Sequence, residues 1–175
     1  MFKLNKNKIR LEMGFTLIEV LIACSIISIS MFALMETAQK GIVLSNQALK
    51  KAQVNLLLEE GAEAVKSIRD NDWDTKIKDL SLGTPYHLFF NTTTKVWVLD
   101  TSTINLAGSI PSYPIDGIFD RTITFSSVGR CIDDDIVEGG GTVDLGTKKV
   151  VVVVTWLSSG VINSKNLTFY LADIF

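Results

Sequence analysis

Apolar side chains dominate Phe15 to Met35, where the only charge is Glu19. A run of that length matches the roughly 20 residues that an α-helix needs to cross a bilayer core. From Glu36 to about Arg69 the pattern becomes mixed. There is no proline, and Ala, Leu, Glu, Lys and Gln, all strong helix formers, are the commonest residues. Val54, Leu58, Gly61, Val65 and Ile68 recur at alternating spacings of four and three, which places them on one helix face. The pattern predicts one continuous helix from Phe15 to Arg69, roughly 80 Å long at 1.5 Å per residue. Its second half should pack on a domain, with Gly61 allowing a close approach.

Arg69-Asp70-Asn71-Asp72-Trp73-Asp74 favours turns and should end the helix. Beyond it the chain is rich in Val, Thr, Phe, Tyr and Trp, over His87–Phe90, Lys95–Leu99, Thr122–Val128, Lys148–Leu157 and Asn166–Ala172. These read as strands. Asn91-Thr92-Thr93-Thr94 should turn between the first two, and Ser158 to Ser164 between the last two. The unbroken run Val150–Val154 predicts a central strand covered on both faces. Thr101–Gly117, with Pro111 and Pro114, and Cys131–Gly146 read as long loops. The expected class is α+β, with an antiparallel sheet of four or five strands laid on the C-terminal half of the helix. No internal repeat or second globular domain is visible.

Charge sharpens the N-terminal end of this picture. The chain has 17 basic and 19 acidic side chains, a net charge of -2. Residues 1–14 hold Lys3, Lys6, Lys8 and Arg10 against Glu12 alone, so the remainder carries a net -5. A basic flank before an apolar span places that flank in the cytoplasm and the rest of the chain outside it. An acidic remainder is a poor partner for a nucleic-acid backbone. Cys24 lies in the apolar segment and Cys131 in a polar one, so a bridge between them within one chain is not expected.

An ordinary signal peptide, a plain membrane anchor and a buried core helix all compete for Phe15–Met35. Ser28-Ile29-Ser30 would serve the first of these as a cleavage site. None of the three explains Glu19. A carboxylate at bilayer depth costs about 2.5 kcal/mol or more and is retained for function. The residues alone leave the choice open.

Gly14-Phe15-Thr16-Leu17-Ile18-Glu19-Val20, behind a basic leader and ahead of an apolar helix, resembles the processing motif of type IV prepilins and type II secretion pseudopilins. The resemblance covers the first third of the chain at residue level, and only the layout beyond it. It implies a pilin fold and removal of residues 1–14 by a prepilin peptidase cutting between Gly14 and Phe15. It also implies N-methylation of Phe15 and a role for Glu19 in assembly. The implied layout is a membrane or filament-core segment at 15–35, an amphipathic half-helix at 36–70 and a globular β domain at 71–175. The implied partners are other pilin subunits, the peptidase and an inner-membrane assembly platform. The implied location is the inner membrane, with the C-terminal domain outside the cytoplasm, and then a filament. Many major pilins have a kink proline where this chain has Glu36, and no proline occurs before Pro85.

No catalytic motif stands out. His87 is the sole histidine, and Gly139-Gly140-Gly141 lacks the lysine and helix of a phosphate loop. No cofactor is expected, and the function expected is structural rather than enzymatic. Asp133, Asp134, Asp135, Glu138 and Asp144 offer the oxygen ligands that calcium takes, but not at EF-hand spacing, and a solvated acidic turn is the favoured reading. Among the aromatics, Tyr86, Trp97, Trp156 and Tyr170 fall in strands, where core packing is favoured. Tyr113 falls in a loop. The leading expectation is a minor pilin or pseudopilin. The alternative is a filament-tip module for adhesion or DNA uptake, although Lys148-Lys149 is only a pair and no basic patch is apparent.

Overall fold

A computed structural model describes residues 15–101, 115–137, 140–158 and 160–174. Residues 1–14, and with them the basic leader and Gly14, lie outside the described residues. So do Pro111, Tyr113 and Pro114, and also Glu138 and Gly139. The chain forms two compact units, Met1–Ala48 and Leu49–Phe175.

One helix, α1, spans Leu17–Asn71 and contributes to both units. It runs two residues past the expected stop at Arg69. Asn71 donates its side-chain amide to the Ser67 carbonyl, and the Asp72 carboxylate accepts the amide and hydroxyl of Thr75. The chain then makes a π-helical turn over Asp74–Lys78. The sheet follows as β1 (Pro85–Asn91), β2 (Val96–Asp100), β3 (Phe119–Arg130), β4 (Ile136–Val137), β5 (Thr142–Ser158) and β6 (Val161–Ala172). Its order is β2-β1-β3-β5-β6, with β4 paired to β3, and each pairing is antiparallel.

In the globular unit the α1 stripe Val54, Leu58, Gly61, Val65 and Ile68 is buried, as its spacing predicts. It packs on Ile123 and Phe125 of β3, Val150, Val152 and Val154 of β5, and Leu171 of β6. Burying side chains of this kind contributes about 1.5–3 kcal/mol each. Gly61 sits close against the sheet. A Cβ there would lie 2.9 Å from Val152 Cγ1.

Four expectations change. The turn expected over Ser158 to Ser164 is much shorter, because β5 runs to Ser158 and β6 begins at Val161. The sheet has six strands, not four or five. Cys131–Gly146 is not wholly loop, because β4 and the start of β5 lie within it. The β5 run is central in strand order but covered on one face only. Val150, Val152 and Val154 are buried, whereas Val151 and Val153 are half-buried. A strand made only of valine hides this alternation, because both faces carry the same side chain.

The N-terminal helical segment as candidate functional site

Thr16 precedes helix α1, and its carbonyl accepts the amides of Glu19 and Val20 at 3.0 and 3.3 Å. Glu19 therefore lies in the first turn, where a carboxylate is favoured by the helix dipole. From Phe15 to Leu49 every side chain is exposed. Such a surface is apolar all round between Phe15 and Met35, and needs an apolar surrounding. The segment is long and apolar enough to cross a membrane.

The hydroxyls within it are satisfied locally. Ser25, Ser28 and Ser30 donate to the carbonyls of Ile22, Cys24 and Ile26, and Thr37 to that of Ala33, each at 2.8 Å. A polar group so bonded enters a lipid or protein interior without an unpaired donor. Ser28-Ile29-Ser30 therefore reads as helix rather than as an extended cleavage sequence. Glu36 and Lys40 pair at 2.7 Å one turn beyond the apolar run. Within Phe15–Met35 this leaves Glu19 as the only ionisable carboxylate.

The residues singled out in the globular unit are dispersed. Asp144 joins a clamp in which its carboxylate accepts from Arg130 Nε at 2.6 Å and from the Gly146 amide at 2.8 Å. Arg130 Nη1 also donates to the Asp134 carbonyl at 2.7 Å. Hydrogen bonds from Thr147 and Arg130 hold the Asp144 carboxyl down at about 2. Among the described residues, no three His, Cys, Asp or Glu side chains gather as metal ligands. Glu138 lies outside them. His87 Nδ1 is 3.5 Å from Asp120 Oδ1. Cys24 and Cys131 are free thiols. Tyr86 and Trp156 are core residues and Trp97 is half-buried, whereas Tyr170 is exposed.

Sequence reasoning missed Arg121, which is buried beside Gly61. Its Nη1 donates to the Leu57 carbonyl at 3.0 Å and to Glu60 Oε2 at 2.9 Å, and its guanidinium lies over the Trp97 ring. Only the inward parity of its position in β3 hints at this, and an arginine there looks like a solvated residue.

Residues 14–35 match a family profile described as the prokaryotic N-terminal methylation motif. The chain carries the type IV pilin and pseudopilin signature. The pilin motif covers the segment whose side chains are exposed on every side, Glu19 included, and leaves the globular unit outside it. A long N-terminal helix packed on an antiparallel sheet agrees with the pilin fold. The motif supports a type IV pilin-like or pseudopilin subunit, and such subunits assemble with one another after processing by prepilin peptidase. Neither the curated proteins nor the solved structures give a significant match to this chain.

Proposed function

We propose that the chain is a minor pilin or pseudopilin, a structural subunit assembled into a filament through residues 15–35. One observation carries the reading. Glu19 is a lone carboxylate in the first turn of a helix with no apolar side chain covered before Leu49.

Cleavage between Gly14 and Phe15 would free an α-amine, which is cationic near neutral pH. In lipid or a filament core, that amine and Glu19 are each costly alone and compatible as a pair. Pairing between neighbouring subunits would set the axial register of their helices, because a shifted register strands both charges. Residues 1–14 then act as a cytoplasmic leader, and Lys3, Lys6, Lys8 and Arg10 orient it. The globular unit is delivered outside the cytoplasm, held by the inner membrane until an assembly platform extracts the subunit.

Intact-mass and peptide mass spectrometry of the membrane form tests the cut. The expected N-terminus is N-methylated Phe15, absent from cells lacking prepilin peptidase. A chain beginning at Met1 or at Met31 overturns the proposal. Glu19→Ala should be cut normally yet enter filaments poorly, and normal incorporation would remove the pairing mechanism.

A further inference from the structure

Between Phe15 and Leu49 the charged side chains are Glu19, Glu36 and Lys40. Cleavage after Gly14 would add the Phe15 amine at the head of the same segment. These groups form two pairs with one spacing. The amine stands four residues before Glu19, and Glu36 stands four before Lys40. Glu36 also follows Phe15 by 21 residues, as Lys40 follows Glu19. That interval is three heptads, so both pairs lie on one seam of helices that wind round each other with a left-handed twist.

Between the pairs the seam is apolar, formed by Ile22, Ile26, Ile29 and Ala33. Ser25, Ser28 and Ser30, each bonded back to its own helix, lie off it. α1 is unbroken from Leu17 to Asn71 and contains no proline. An axial register set at Glu19 therefore reaches Lys40 unchanged. Within the chain Glu36 and Lys40 pair at 2.7 Å, and both remain exposed. An ammonium has three donors and a carboxylate accepts more than one hydrogen bond, so that contact exhausts neither.

We propose that Glu36 and Lys40 form a second rung between parallel copies of this chain, Glu36 of one copy against Lys40 of the next. It rests on the reading that the Phe15 amine meets Glu19 of a neighbour, and one axial shift serves both. Copies offset by four residues, roughly 6 Å along the helix, bring the amine of one to Glu19 of the other and Glu36 of one to Lys40 of the other. The same offset lays Ile22 against Ile26 and Ile29 against Ala33. Unshifted copies set glutamate against glutamate and lysine against lysine. A shift of seven keeps the seam but sets Glu19 against Ile26 and Glu36 against Val43, which leaves the charges unpaired. The fit is of the chain to itself, so the partner is a second copy. The two sides of the contact differ, so it is heterologous and repeats along a filament with every α1 running the same way.

The test uses two copies of the full chain with different tags, expressed together in cells that assemble it. Glu36→Lys alone and Lys40→Glu alone should each lower incorporation into filaments at least roughly tenfold, because like charges then meet. Expressed together, the two variants should recover, because each supplies the charge that the other lacks. Both lack the pair within their own chain, so only a contact between copies accounts for recovery. In a Cys24→Ser, Cys131→Ser background, Ile29→Cys in one copy should cross-link to Ala33→Cys in the other. Ile27→Cys and Met31→Cys, at the same spacing but off the seam, should not. Absence of mutual rescue, or equal cross-linking off the seam, overturns the proposal. If Glu19→Ala blocks incorporation while neither charge reversal does, the second rung is wrong and the Glu19 pairing stands. If Glu19→Ala incorporates normally as well, both fall.

Discussion

A methyl group added at Gly61 would lie 2.9 Å from Val152 Cγ1 and 3.2 Å from Arg121 Cδ. Val152 is fully buried and Arg121 is held by Leu57 and Glu60, so neither gives way freely. Gly41, in the same helix, has nothing within 4 Å of the same added atom. Alanine gains about 1 kcal/mol over glycine in a helix interior, whereas overpacking a core costs about 1–3 kcal/mol. The two substitutions should therefore act in opposite directions. Gly61→Ala is expected to lower the stability of the globular unit by about 1 kcal/mol, read by chemical denaturation of the full chain in detergent. Gly41→Ala is expected to leave that transition unmoved and to raise helical ellipticity. Gly61 could be picked out from its place in the apolar stripe. The reason it must be glycine lies in Val152 and Arg121, which are distant in sequence.

The elements divide into those written in local pattern and those held by tertiary contacts. The α1 stripe follows directly from its spacing, and the middles of β1, β2, β3, β5 and β6 follow from their Val, Thr and aromatic content. The arm formed by the end of β3, β4 and the start of β5 does not. Asp133-Asp134-Asp135 and Gly139-Gly140-Gly141 have the composition of a loop. In the fold, Val128, Gly129 and Arg130 pair with Asp144, Val143 and Thr142 beyond a bulge at Ser127/Val128. A Cβ at Gly129 would meet the Gly140 carbonyl, so the backbones pack too closely for a side chain there. The Arg130–Asp144 contact then fastens the arm. Asp144 has a depressed pKa in the folded chain, so its stabilising contribution is complete above the ordinary carboxylate range and is lost as pH falls toward about 2. Hydrogen exchange of the Gly129 and Val143 amides should accelerate between about pH 4 and pH 2, after correction for the intrinsic rate. Asp144→Asn should exchange fast across that window with little further change. Flat corrected rates in the wild-type chain would contradict the clamp.

At the scale of the molecule, the buried core begins at Val54 and, among the described residues, draws on none of the unit Met1–Ala48. A chain starting at Leu49 is therefore expected to fold cooperatively without detergent, melting within a few degrees of the full chain. Failure to give a cooperative transition would mean that the first unit contributes to the stability of the second. The methylation motif could be read because its signal is local: a glycine and a phenylalanine at the head of an apolar run, and a carboxylate one helical turn further on. The setting of Arg121 could not, because it is a property of how distant segments come together.

The strand order also has a consequence for the timing of synthesis. β5 is the spine of the sheet, pairing along one side with β3 and along the other with β6, yet it follows α1 in the chain by most of the length of the globular unit. Pairings between such distant segments form slowly, because the intervening chain must close first. During synthesis, the apolar stripe of α1 emerges well before Val150, Val152 and Val154, the residues that cover it. The interval between the two is when a holdase or a protease has its best access to this protein.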